Sequence, residues 1–140
     1  MKGLHKLNVL FLVEPPQIAI TSNNITVDAG NTVWFACVGY GTPDPDITWT
    51  RGGNQLTNDS RIIIYEKLLT EGGVTYAQSI LQLCSAEVTD AGLYSCNMSN
   101  MLGNTSSNFE LNVTVGGKHT IIYIQQNVES QPKYFTSRIW

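Results

Sequence analysis

Charged residues are scarce in this sequence, and those it has are not grouped. Only 14% of its 140 residues carry a charged side chain, the eight Lys and Arg residues are scattered, and the formal net charge is −3. A protein that binds nucleic acid concentrates basic residues on one face or along one segment. We therefore predict that this chain has no nucleic-acid partner.

Residues suited to catalysis are also sparse. The sequence has two histidines, His5 and His119, and both lie outside the segment that reads as a folded domain. That segment therefore offers no Ser-His-Asp or Cys-His arrangement, and it has no metal-ligand spacing. Asp44 and Asp46 lie in a Pro-rich loop, where acids are more often solvated turn residues than calcium ligands. We predict no enzymatic activity, no cofactor and no metal.

The sequence also lacks a long hydrophobic run. No stretch approaches the roughly 20 apolar residues of a transmembrane helix, so we predict that the chain does not insert itself into a membrane. Residues 1–14 form a flank whose short apolar run, Leu7–Val13, is interrupted by Asn8 and precedes no small-X-small cleavage site, which leaves a signal peptide open. The domain is predicted to begin at Pro15-Pro16, because proline cannot donate to a β-ladder.

What the sequence does contain is a series of short strand patterns separated by turn residues. β-branched residues are abundant, and apolar and polar residues alternate between the turns. The predicted strands are 18–21, 25–27, 33–37, 47–50, 61–65, 76–83, 93–99 and 108–115. This pattern is typical of an antiparallel sandwich or barrel. We assign residues 15–115 to one domain and expect the tail, 116–140, with its apolar patch Thr120–Ile124, to be loosely ordered.

Cysteines and glycosylation sequons bear on the cellular compartment. A cytosolic protein keeps its cysteines as thiols, whereas in a secreted protein two of the three would pair and one would be left over. Chance gives roughly two Asn-X-Ser/Thr sequons for this composition. Five are present, at Asn24, Asn58, Asn97, Asn104 and Asn112. We predict passage through the secretory pathway to an extracellular or cell-surface location.

One motif is specific enough to identify a family. The run Asp90-Ala91-Gly92-Leu93-Tyr94-Ser95-Cys96, read with Cys37 and Trp49 upstream, resembles the I-set domains of the immunoglobulin superfamily. Leu81 and Leu83 also match, and the resemblance extends over about 100 residues. It implies an all-β fold: a two-sheet antiparallel Greek-key sandwich.

The resemblance also implies structural roles for individual residues. It implies a disulfide between Cys37 and Cys96, with the indole of Trp49 packed against it. Tyr94 occupies the position of the tyrosine corner, where the hydroxyl bonds to backbone just upstream.

Two further residues match an ion pair of the family. Arg61 and Asp90 stand where a basic and an acidic residue commonly brace one end of the sandwich, a structural rather than a catalytic role. The chain departs from the family in its third cysteine, Cys84, and in its flanks.

Strand alternation predicts which sequons face solvent. If Cys96 points inward, its neighbour Asn97 points outward. In the same way, Asn112 points outward if Leu111 points inward. Asn104 is predicted at the tip of the hairpin between these two strands. Glycans at these positions would shield one sheet.

The same reasoning leaves apolar residues outward on the other sheet. Trp34, Ile80 and Cys84 each alternate with residues predicted to face the core. An exposed apolar patch often marks a contact surface, so we hypothesise an interface with a neighbouring domain or a second copy of the chain. The alternatives are that the flanking segments cover this patch or that Trp34 is simply half-exposed.

Function is predicted only as a class. The resemblance implies an extracellular protein-recognition or adhesion module of a cell-surface or receptor-type protein, which binds a protein partner through a sheet face or the loop ends. The alternative is a structural spacer module of a matrix or muscle-type multi-domain protein.

Overall fold

The computed structural model describes residues 12–116. The expectations for His5, His119 and Thr120–Ile124 concern residues outside that range, as do those for most of the 1–14 flank.

Nine strands and one short 3₁₀ turn, Val88–Asp90, make up the described chain. The strands are β1 (Glu14–Thr21), β2 (Ile25–Asp28), β3 (Val33–Thr42), β4 (Asp46–Arg51), β5 (Asn54–Gln55), β6 (Ile62–Glu71), β7 (Val74–Leu83), β8 (Gly92–Asn100) and β9 (Gly103–Thr114). One sheet has the order β1-β3-β7-β6 and the other β2-β9-β8-β4-β5. The predicted two-sheet sandwich is confirmed. All pairings are antiparallel except that of β2 with β9, because the chain changes sheets between β1 and β2.

The core forms where the inward residues of both sheets meet. Burial alternates with a period of two along β3, β7, β8 and the second half of β9, as expected for strands with one buried face. The predicted disulfide is confirmed: Cys37 of β3 bonds to Cys96 of β8, with their Cα atoms 6.5 Å apart and a sequence separation of 59. In the chain-entropy account, such a cross-link stabilises the fold by about 4 kcal/mol.

A hydrogen bond that sequence reasoning missed lies beside this disulfide. The indole of Trp49 is 1% exposed, and its Nε1–H donates to Oγ of Ser79 at 2.9 Å. Ser79 is fully buried. The sequence could have predicted this bond, because Ser79 lies between Ala77 and Leu81 on the inward face of β7. A serine buried there must find a hydrogen-bond partner in the core.

Several strands differ in extent from the prediction; β9, for example, begins at Gly103 and not at residue 108. Pro15 and Pro16 do not end a segment but lie within β1, whose register with β3 shifts between Glu14 and Gln17. Proline is tolerated there because β1 is an edge strand. Strand β3 continues to Thr42 where a loop was expected from Gly39, because β1 pairs with it as far as Glu14 opposite Thr42. Position 39 requires glycine, since a side chain there would meet the Gln17 carbonyl and the Met98 thioether.

The β6–β7 hairpin is also longer than predicted. Its strands pair continuously from Ile62 opposite Leu83 to Glu71 opposite Val74. The turn falls at Gly72-Gly73, where both residues have positive φ, as a two-residue hairpin turn requires. Pairing with β7 extends β6 through residues whose composition alone does not favour a strand.

We expect Ser79→Ala to destabilise the fold by about 1–3 kcal/mol, because it leaves the buried indole N–H without an acceptor. In a Trp49→Phe background the same substitution should cost less, since the donor is already gone. Urea unfolding of the four proteins in this double-mutant cycle measures the coupling. Ser106→Ala, at an exposed position on the outer face of β9, is the control and should change stability by less than about 0.5 kcal/mol. Equal losses in both backgrounds would contradict the assignment.

Candidate recognition surfaces

A charged cluster closes one end of the sandwich. Asp90, only 5% exposed, ends the 3₁₀ turn. Its carboxylate accepts two hydrogen bonds from the Arg61 guanidinium, both at 2.9 Å, and one from the Glu87 N–H at 2.7 Å. The Tyr94 hydroxyl donates to the Asp90 carbonyl at 2.7 Å. This geometry is that of a tyrosine corner joined to a bidentate ion pair.

The pKa values follow from these contacts. Burial by itself would raise the pKa of Asp90, but the hydrogen bonds from Arg61 and Glu87 outweigh it, and the pKa lies below its ordinary value. The bond to Asp90 in turn raises the pKa of Arg61, and burial raises the pKa of Tyr94. The three groups are held in fixed protonation states around neutral pH. Such a cluster is suited to bracing the fold and not to proton transfer.

We expect Arg61→Met to destabilise the fold by about 2–4 kcal/mol at pH 7, because it leaves a buried carboxylate unpaired. The folded-state pKa of Asp90 is depressed, so the stabilisation is present above the unfolded value, 3.8, and is lost as pH falls through the folded value. The difference between wild type and variant, measured by urea unfolding, should therefore shrink below about pH 4.

Arg51→Met is the matched control for this prediction. The Arg51 Nη1 lies 3.7 Å from Asp90 Oδ1, beyond hydrogen-bond distance, and donates to the exposed Thr89 carbonyl at 3.2 Å, so its loss should cost less than about 1 kcal/mol. Equal effects of the two substitutions, or a difference independent of pH, would show that Arg61 does not act through Asp90.

The outer face of the five-stranded sheet is polar and uncharged along its centre. Register places Thr48, Asn97 and Ser106 in one row across β4, β8 and β9. Asn112 of β9 and Asn104 next to the β8–β9 turn are exposed, whereas Asn97 is half-buried. Three of the five sequons therefore lie on this sheet, and Asn97 is the least accessible of them.

The other two sequons lie in turns and use their side chains locally. The Oδ1 of Asn24 accepts a hydrogen bond from the Glu110 N–H at 2.8 Å, and that of Asn58 accepts one from the Ile64 N–H at 2.7 Å. Both residues are exposed. These bonds involve Oδ1 and not Nδ2, the atom that carries an N-linked glycan.

The outer face of the four-stranded sheet has the opposite chemistry. Trp34 of β3 is 57% exposed and Tyr65 of β6 is 50% exposed. Ile80 lies half-buried in the row between Ala36 and Tyr65. We call the part of this outer face that carries Trp34, Ile80 and Tyr65 the apolar face. None of the five sequons lies on β1, β3, β7 or β6.

Cys84 lies beside the apolar face. Strand β7 ends at Leu83, so Cys84 follows the strand and is half-buried as a free thiol. The Gln82 side chain donates to its Sγ at 3.4 Å, which places the thiol on the same side as Gln82. The structure thus brings Trp34, Ile80 and Cys84 to one side of one sheet.

Within residues 12–116, no group of three or more His, Cys, Asp or Glu side chains is arranged to hold a metal ion. None of the helices in the same range has the length and apolar composition to cross a membrane.

Comparisons with known proteins identify the family to which these features belong. The family model of the immunoglobulin I-set domain matches residues 16–113. Smooth-muscle myosin light chain kinase of Gallus gallus is 34% identical over 99 residues, which are 71% of this chain and 5% of that protein. Cell adhesion molecule Dscam1 of Drosophila melanogaster is 30% identical over 100 residues, again 71% of this chain and 5% of that protein.

Solved structures agree with the sequence comparisons. Titin domain M7 superposes with a TM-score of 0.62 at 25% identity, covering 76% of this chain and 100% of that one. The chain spans about one twentieth of the length of the two curated relatives named above, so it corresponds to one domain of much longer proteins.

Proposed function

The chain belongs to the immunoglobulin I-set family, and from this premise we propose that it is an extracellular protein-recognition or adhesion module that binds through its apolar face. The I-set fold is typically non-catalytic, and the proposed function involves no chemistry by this domain. Partner identity would then be decided by shape and apolar contact.

The difference between the two sheet faces carries this proposal. Trp34 and Tyr65 are at least half exposed on the apolar face, while the opposite face presents Ser, Thr and Asn with three sequons. Large exposed aromatic side chains are enriched at the centre of protein interfaces and are costly to leave in water. A glycosylated face and a bare apolar face together favour binding through the bare one.

An extracellular location is supported by the disulfide and the sequons. The Cys37–Cys96 bond is stable in the oxidising secretory pathway and uncommon in the cytosol. Four of the five sequon asparagines are exposed. The relative Dscam1 is by name a cell adhesion molecule.

A spacer role is the second candidate, and the chain path favours it. The Glu14 carbonyl accepts a hydrogen bond from Asn100 Nδ2 at 2.8 Å, at the end where β8 meets the start of β9. The Thr114 carbonyl accepts one from the Ala29 N–H at 2.7 Å, at the opposite end. The domain is therefore entered at one end and left at the other, as a module in a linear array must be. Smooth-muscle myosin light chain kinase, of which the matched segment is only 5%, is by name a muscle protein, which fits this candidate.

Expression behind a secretory leader in animal cells tests whether the chain acquires the glycans and the disulfide of an extracellular protein. We expect glycosidase treatment to lower the apparent mass by two or three glycans, with Asn97→Gln changing it least because Asn97 is half-buried. Asn104→Gln and Asn112→Gln are the matched exposed positions. A secreted protein without glycans and with a reduced Cys37–Cys96 pair would contradict the extracellular proposal.

Binding through the apolar face is tested with the glycosylated protein displayed on beads and presented to intact cells. We expect Trp34→Ser and Tyr65→Ser each to lower bead binding about tenfold or more, because an aromatic contact at the centre of an interface contributes about 2 kcal/mol or more. Thr48→Ala on the polar face is the control. Unchanged binding by both aromatic variants would overturn the assignment of this face, and no binding by any protein would favour the spacer role.

A further inference from the structure

Strand β6 is an edge of the four-stranded sheet, and only half of that edge is covered. The Arg61 carbonyl accepts from the Cys84 N–H, so the odd-numbered residues of β6 direct their backbone groups towards β7. The even-numbered residues direct theirs away from the sheet. At the start of the strand these outward groups are satisfied locally, because Asp59 Oδ1 accepts from the Ile62 N–H and Asn58 Oδ1 from the Ile64 N–H.

The second half of the edge has no such cover. Glu66, Leu68 and Thr70 are the next residues with outward backbone groups, and within residues 12–116 these groups have no hydrogen-bond partner. Leu68 is 57% exposed. An exposed edge of this kind is a template for pairing with another strand.

We propose that a second copy of this chain pairs with this open edge, β6 against β6, around a two-fold axis that passes between the Leu69 residues of the two copies. The sheets of the two copies then join into one. Leu68 of each copy lies opposite Thr70 of the other, and each such pair exchanges two N–H···O=C bonds because both residues direct their backbone groups outward.

Charge selects this register. The side chains of Lys67, Leu69 and Glu71 all lie on the outer face of β6, because their partners on β7 are Gln78, Tyr76 and Val74. With Leu69 at the axis, Lys67 of each copy faces Glu71 of the other, which gives two equivalent ion pairs. Neither residue forms an ion pair within the described part of a single chain.

Other symmetric registers lack this complementarity. Centring the pair on Lys67 places the two Lys67 side chains opposite each other, and like charges directly opposed are unfavourable. Centring it on Leu68 places Lys67 opposite Leu69 and leaves both charges without partners. A two-fold pairing must be centred on one residue so that outward backbone groups meet outward backbone groups, and only the pairing centred on Leu69 sets Lys67 opposite Glu71.

Two features of the sheet agree with the register. Tyr40 and Tyr76 pack edge to face, with ring centroids 5.8 Å apart, and Leu69 continues this row to the edge. In the pair, the row would run unbroken from one copy into the other. Glu66 would lie opposite Gly72 in the partner's turn. The pairing would therefore end before Ile64, whose N–H is already bonded to Asn58 Oδ1 of its own chain.

This contact uses the edge of the sheet and not the apolar face, so it stands apart from the proposed recognition role. Sedimentation equilibrium of the full chain tests it, in a Cys84→Ser background that removes intermolecular disulfides. We expect a reversible dimer that weakens with salt. Lys67→Glu and Glu71→Lys should each weaken it about tenfold or more, because each substitution opposes like charges at both symmetric positions.

The decisive measurement is a mixture of the two variants. In the proposed register, every acid of Lys67→Glu faces a base of Glu71→Lys, so the mixture should form a heterodimer as tight as the wild-type dimer or tighter. The double variant Lys67→Glu/Glu71→Lys should likewise regain self-association. Trp34→Ser is the control for the apolar face and should leave self-association unchanged. A monomer at concentrations up to about 1 mM, or variants that do not rescue each other, would overturn the proposal.

Discussion

The covalent link between Cys37 and Cys96 joins the central strand of one sheet to the central strand of the other, and the directions of the surrounding side chains depend on it. Because neighbouring residues of a strand point to opposite faces, an inward Cys37 makes Trp34 and Ala36 face outward, and an inward Cys96 does the same for Asn97. A shift of either strand by one residue would exchange core and surface along its whole length. The disulfide excludes such a shift.

The surroundings of the disulfide make the constraint rigid. Trp49 fills the space beside it and is held in one orientation by its hydrogen bond to Ser79. At one end of the sandwich, the Asp90 carboxylate and carbonyl connect the turn before β8 to Arg61 and to Tyr94. These polar contacts are buried or half-buried, where hydrogen bonds are directional and costly to break. They fix the relative position of the two sheets more narrowly than apolar packing alone.

With register and sheet position fixed, the two outer faces differ in chemistry. One carries hydroxyl and amide side chains with three sequons, and the other carries Trp34, Ile80 and Tyr65. Polar surface resists association, whereas exposed aromatic surface favours it. The open half of β6 adds a second type of surface on the same sheet, one that offers backbone hydrogen bonds. Recognition by a sheet face and recognition by a sheet edge are thus compatible in one domain, because the first uses Trp34 and Ile80 on β3 and β7 and the second uses the far half of β6.

The amino-acid sequence by itself determined the fold family, the disulfide and the face of most strand residues, since these follow from local alternation and from a short motif around Cys96. Tertiary structure alone decided the role of Ser79, the placement of Pro15 and Pro16 within β1, and the full length of β6. Each of these depends on a strand distant in sequence: a core donor from β4, an edge position beside β3, and continuous pairing with β7. Local patterns specify which way a side chain points, but the extent of a strand and the partner of a buried polar group are set by the neighbouring strands.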